Sequence, residues 1–145
     1  MYTRKMETPF EQLTGEVSMR VRDPHGYKPA TIIQTDHAWQ VAVKFHFDGP
    51  MAPFLGGVCP VKVYAESIGP GQEILVGCQV VALSEAPPLP QKREYATVIT
   101  VPAGLLLPGA YLLVALVTYE HGGVPLEIAG TVAGPIIQIY EGLPA

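Results

Sequence analysis

Two close pairs of side chains in this chain could do proton chemistry. His46 and Asp48 lie two residues apart, a spacing that puts both on one face of an extended strand. Asp36 and His37 are adjacent at the junction of two apolar runs, and Glu66 ends another run. An imidazole beside a carboxylate is a candidate general base, and a hydrolase would add a nucleophile next to it. A metal would need three or four such ligands converging. The sequence contains no HxH, HExxH, CxxC or GxSxG pattern. No catalytic residue, cofactor-binding residue or metal ligand is therefore assigned. His46 and Asp48 stand as the first polar-site candidate, weighed against the simpler expectation of a solvated strand face.

The other reactive groups give equally plain readings. Cys59 and Cys78 flank the turn Ser67-Ile-Gly-Pro-Gly-Gln72, which sets them on adjacent strands, roughly diagonal to each other. Reduced, buried thiols used as small apolar residues are expected there, in preference to a redox or metal pair. Pro87-Pro-Leu-Pro-Gln-Lys92 fits the PxxPx-basic pattern read by SH3 domains. Pro50-Met-Ala-Pro53 fits the same PxxP core, so a stiff connector is favoured for the first of these. Trp39 shares its face with Val41, Val43 and Phe45 and belongs to a core, not to a sugar-stacking platform. Gly69-Pro-Gly71 is a turn, because no helix follows whose N-terminus could hold a phosphate.

The elements that would position these groups are strands. Among 145 residues there are 15 Gly and 15 Pro, and they fall between short β-branched and aromatic runs. Glu16–Arg22 alternates, with Val17, Met19 and Val21 on one face. Seven further extended segments follow at about 31–36, 38–47, 58–66, 73–83, 94–101, 110–119 and 126–140, the last broken at Gly130 or Gly134. Pro60 within its run implies an edge position, a bulge or a late strand start. Residues 1–15 show no period and read as an N-terminal arm. Residues 16–145 read as a single domain: an all-β, two-layer antiparallel β-sandwich of about seven to nine strands.

One corner carries a resemblance. Pro108-Gly109-Ala110-Tyr111, a turn followed by a tyrosine opening a long apolar strand, is similar to the late-strand corner of immunoglobulin-like sandwiches. The resemblance implies an immunoglobulin-like fold in which the Tyr111 hydroxyl ties the preceding loop by a hydrogen bond to backbone. The Cys-Trp-Cys order of true immunoglobulin domains is missing, since Trp39 precedes both cysteines. The superfold implies no particular activity.

Charge narrows the partners. A net charge of −4 leaves no electrostatic footprint for nucleic acid or an anionic membrane. The first ten residues have charges but no apolar core of a secretory signal, and a cytoplasmic location is expected. Val101–Tyr119 is uncharged throughout, yet Pro108-Gly109 near its middle would break a spanning helix, so it reads as turn plus strand. Only 15% of the chain is charged, against about 25% in an ordinary globular protein.

That deficit has a structural expression. In 110–119 one face carries Tyr111, Leu113, Ala115, Val117 and Tyr119, and the other Leu112, Val114 and Leu116. Residues 74–83 and 136–140 are similarly two-sided. A strand in a two-layer sandwich has one dry face and one wet one, so a third layer is required. The expectation is a homo-oligomer, most simply a dimer, with Tyr111, Leu113, Val117 and Tyr119 as the suspected interface and a protein partner as another possible cover. The function expected is a non-enzymatic interaction or structural module without cofactor. The alternative is a barrel or sandwich binding a small apolar ligand between its layers. A small hydrolase using His46 and Asp48, or His37, comes third.

Overall fold

In the computed structural model, which describes residues 2–23, 30–69, 71, 73–83 and 92–142, the period-2 segments become strands within a residue or two of their expected limits. The order is β1 (Tyr2–Lys5), β2 (Thr14–Arg22), β3 (Ile32–Gln34), β4 (Trp39–Asp48), a 3-10 turn at Ala52–Phe54, β5 (Val58–Ser67), β6 (Glu73–Ala82), β7 (Arg93–Val101), β8 (Gly109–His121) and β9 (Val124–Tyr140). The nine strands form two sheets, β1-β2-β4-β7 and β3-β9-β8-β5-β6. Every pairing is antiparallel except that of β3 with β9.

The inner faces of the two sheets meet in one core. The four-stranded sheet contributes Val17, Met19, Trp39, Val41, Val43, Phe45, Phe47, Ile99 and Val101, all buried. The five-stranded sheet contributes Val61, Val63, Ala65, Ile137 and Ile139 together with alternate residues of β8. Trp39 is a core residue, as its company on β4 requires. Gly77 in β6 lets the sheets approach: a Cβ there would lie 2.3 Å from Ile99 Cγ2 on β7.

Three expectations about elements change. The segment 1–15 is not an arm apart from the domain. Tyr2–Lys5 pairs along β2 from Tyr2↔Met19 to Lys5↔Glu16. Glu7 then exchanges both backbone hydrogen bonds with Ala129 of β9, at 2.7 and 3.1 Å, and so joins one sheet to the other. Met6 and Leu13 enter the core. The last strand runs unbroken, with register shifts against β8 where Gly134-Pro135 adds one residue and near Glu127-Ile128, not at Gly130. Pro60 sits inside β5, which is not an edge strand; the β5–β8 register skips from Val58 to Val61 there, which spares the ladder a missing N–H.

Val101–Tyr119 is the end of β7, a turn and most of β8. Among the described residues no helix is long and apolar enough to cross a membrane. The turn read at Asp23-Pro-His-Gly26 and the PxxP segment at 87–92 lie, but for Asp23 and Lys92, outside the described residues.

Candidate functional site

β4 delivers His46 and Asp48 to the outer face of the four-stranded sheet, because their neighbours Phe45 and Phe47 are claimed by the core. His46 Nε2 stands 3.1 Å from Asp48 Oδ2, and both side chains are partly exposed. The registers set Lys5, Glu16, His46 and Glu94 in one row across four strands. Glu16, His46 and Glu94, with Ser18 and Lys44, line a shallow depression of about 400 Å³. An imidazole held by a carboxylate is a base with its orienting group, so two parts of a hydrolytic set are present. The third part is out of register. Ser18 faces Lys44 and is only a diagonal neighbour of His46, about 7–8 Å away in antiparallel geometry. No group of three or more His, Cys, Asp or Glu among the described residues could hold a metal ion. His37 lies 3.8 Å from Asp36 on a turn where both are largely exposed, and Glu66 lies near the end of β5; neither joins the His46 row.

The interface suspected at Tyr111, Leu113, Val117 and Tyr119 is corrected. Their exposures are 6%, 0%, 0% and 4%, so they are core residues and cannot meet a partner. The cause is register. Leu113 pairs with Ala65 and Val117 with Val61, both inward residues of β5. The Tyr111 hydroxyl donates to the Leu107 carbonyl at 2.7 Å and anchors the strand's start in that orientation. The opposite face of β8, Leu112, Val114 and Leu116, is the one turned outward, and it is half-buried. Around it lie Ile136, Leu75 and Val80, exposed by 58%, 46% and 65%.

No protein-family model matches the chain, and no curated protein matches its sequence.

The cysteines are on adjacent strands, as their spacing implies, but on opposite faces. Cys59 is buried and Cys78, which pairs with Lys62 on the outer face, is exposed; both are free thiols. The expectation of two buried thiols thus fails at Cys78, because β6 is an edge strand whose outer face nothing in the described chain covers. Burial pushes the Cys59 thiol up to about 12, with nearby Arg93 acting in the opposite sense. Cys59 is consequently no nucleophile at neutral pH.

Two features escaped the sequence pattern. Arg93, at the end of a polar connector, is a buried charge (4% exposed). Its Nη1 donates to the carbonyls of Ala52 (3.0 Å), the first residue of the 3-10 turn, and Leu55, the residue after it. The second is a groove of about 500 Å³ beside that turn, with Phe10, Phe54, Leu126 and Glu127 among its lining residues. Phe10, Phe54 and Leu126 lie in or next to loops, where no periodicity marks them. The available signal was apolar residues that follow prolines, at Pro9-Phe10, Pro53-Phe54 and Pro125-Leu126.

Proposed function

We propose that this chain is a non-enzymatic β-sandwich of immunoglobulin-like arrangement that works by associating with copies of itself through the outer face of its five-stranded sheet. The observation that carries the proposal is the apolar outer face of β8 at the centre of that sheet. Rows read across it as Ile136–Leu112–Glu66–Glu73, Ala133–Val114–Tyr64–Leu75 and Thr131–Leu116–Lys62–Cys78, with the charges at the β5–β6 side. Water on such a face leaves the hydrophobic gain of a central strand unused.

The size of the face is adequate for a dimer. Four strands about 4.8 Å apart and about nine residues long cover about 600 Å². Two copies then remove about 1,200 Å², the lower end of stable specific interfaces. Charge placement favours a second copy over an unrelated partner. Lys62 and Glu66 stand on either side of Tyr64 on β5. A two-fold axis lying in the interface, across the strands at Tyr64, sets Lys62 of one copy against Glu66 of the other.

What supports the immunoglobulin-like arrangement is strand order together with the tyrosine corner. The order β9-β8-β5-β6 follows G-F-C-C′ of variable-type domains, and β2-β4-β7 follows A-B-E. The Tyr111–Leu107 hydrogen bond falls at the corner between E and F. The stretch between C′ and E where strand D would lie, 84–91, is outside the described residues.

Size-exclusion chromatography with light scattering tests the association. Wild-type chain is expected to elute as a dimer at micromolar concentration, and Val114→Lys as a monomer with the same circular dichroism. A clean wild-type monomer at that concentration refutes the proposal.

A further inference from the structure

The groove at the end of the molecule where β1 turns into β2, β4 into β5 and β8 into β9 is separate from the outer sheet face. We propose that it binds an uncharged, apolar small molecule. Its volume of about 500 Å³ lies inside the range of small-molecule pockets, about 300–1,000 Å³. The floor is closed by Leu13, Tyr119 and Ile128, all nearly inaccessible. The rim is unusually apolar for a solvent boundary: Phe54 is 77% exposed, and Phe10 and Leu126 are each 48% exposed. Two aromatic rings held over an apolar floor are a large hydrophobic area that a ligand would cover.

The walls are built before any ligand arrives. Arg93 fastens the 3-10 turn at Ala52 and Leu55 from inside the core. The Met51 amide donates to the Gln12 carbonyl, tying that turn to the β1–β2 loop. This contact requires Gly49, whose φ of +111° is left-handed and whose Cβ would sit 2.3 Å from the Gln12 oxygen. Thr8 Oγ1 donates to Leu13 O at 2.6 Å, closing the loop that carries Phe10. Walls fixed in this way spare a ligand the entropy of ordering them.

Charge selects the ligand class. Among the described residues lining the groove, Glu127 is the one charged side chain. An anionic amphiphile would face that carboxylate with no lining cation to answer it. A cationic ligand would gain from it only what an exposed ion pair gives, while giving up its own hydration. An uncharged body loses nothing on either count.

A matched pair of fluorescent probes tests the proposal. N-phenyl-1-naphthylamine and 8-anilino-1-naphthalenesulfonate share one apolar body and differ by a sulfonate. Titrated into the full chain, the neutral probe is expected to bind saturably, one per chain, and the sulfonate at least about tenfold more weakly. Phe54→Ala should weaken the neutral probe about tenfold, the scale of one lost aromatic contact. Its melting temperature should stay close to wild type, because Phe54 is largely outside the core. Glu127→Gln should narrow the gap between the two probes. The proposal is overturned by absence of saturable neutral binding, by equal binding of the sulfonate, or by full binding in Phe54→Ala. Phe54 is no part of the outer sheet face, so this result does not depend on whether the chain self-associates.

Discussion

Arg93→Met removes a single buried cation and tests how the end of the molecule is held. In the folded chain Arg93 Nη1 donates to two backbone carbonyls, those of Ala52 and Leu55, in residues exposed by 0% and 9%. Hydrogen bonds from a charged donor contribute about 1.5–3 kcal/mol each; the Leu55 carbonyl loses its Arg93 donor outright, while the Ala52 carbonyl keeps the Leu55 amide. Against that, methionine is apolar and of similar reach, and it cancels the penalty of desolvating a guanidinium, which offsets part of the loss. The balance is a destabilisation of about 3 kcal/mol. For a chain of this length that lowers the melting temperature by about 6–12 °C. Urea unfolding followed by tryptophan fluorescence measures it, with the slope m unchanged if the unfolded state is unaffected. Lys92→Met is the internal control. Lys92 is a mostly exposed side chain 3.5 Å from exposed Glu94, and its loss should stay within about 0.5 kcal/mol. The reasoning fails if Arg93→Met costs less than about 1 kcal/mol, or no more than its neighbour.

Other outcomes follow from single contacts. Tyr111→Phe deletes the hydroxyl that donates to Leu107 O and should cost about 1 kcal/mol in urea unfolding, with no change in oligomeric state. In the monomeric Val114→Lys chain a thiol reagent at pH 8 should modify Cys78 quickly and Cys59 only after unfolding, read as one and then two adducts by mass spectrometry. With the Cys59 thiol raised from 9.0 to about 12, the folded chain keeps a proton that the unfolded chain releases. Its contribution to stability is therefore complete below pH 9 and is lost as pH climbs toward 12, by at most about 1.4 kcal/mol per pH unit. Urea midpoints at pH 8 and pH 10.5 should fall further apart in wild type than in Cys59→Ala; equal falls would remove the argument.

Much of the fold was legible because period 2 is a local property. β4 shows this most clearly: Trp39, Val41, Val43, Phe45 and Phe47 alternate with Gln40, Ala42, Lys44, His46 and Asp48, and every one of the first set is buried. The same alternation placed His46 and Asp48 together on the outer face, 3.1 Å apart. β1 was missed because four residues, all exposed, carry no burial pattern, and only their pairing with β2 makes them a strand. Arg93 was missed because composition groups it with the polar connector before it, whereas a carbonyl pair some forty residues upstream gives it a place in the core. Phe10, Phe54 and Leu126 come from a loop, the 3-10 turn and the start of β9, and nothing in their spacing foretells a shared groove.

By itself the sequence determined that the chain would be strands and turns, and that β8 would be apolar on both faces. It did not determine which of those faces would be the inner one. Tertiary structure decided that, by pairing Leu113 and Val117 with the inward residues of β5 and by fastening the Tyr111 hydroxyl to Leu107. A strand whose two faces are equally apolar has no hydrophobic preference for either orientation; the register of its neighbours breaks the tie. The face left outward is Leu112, Val114 and Leu116.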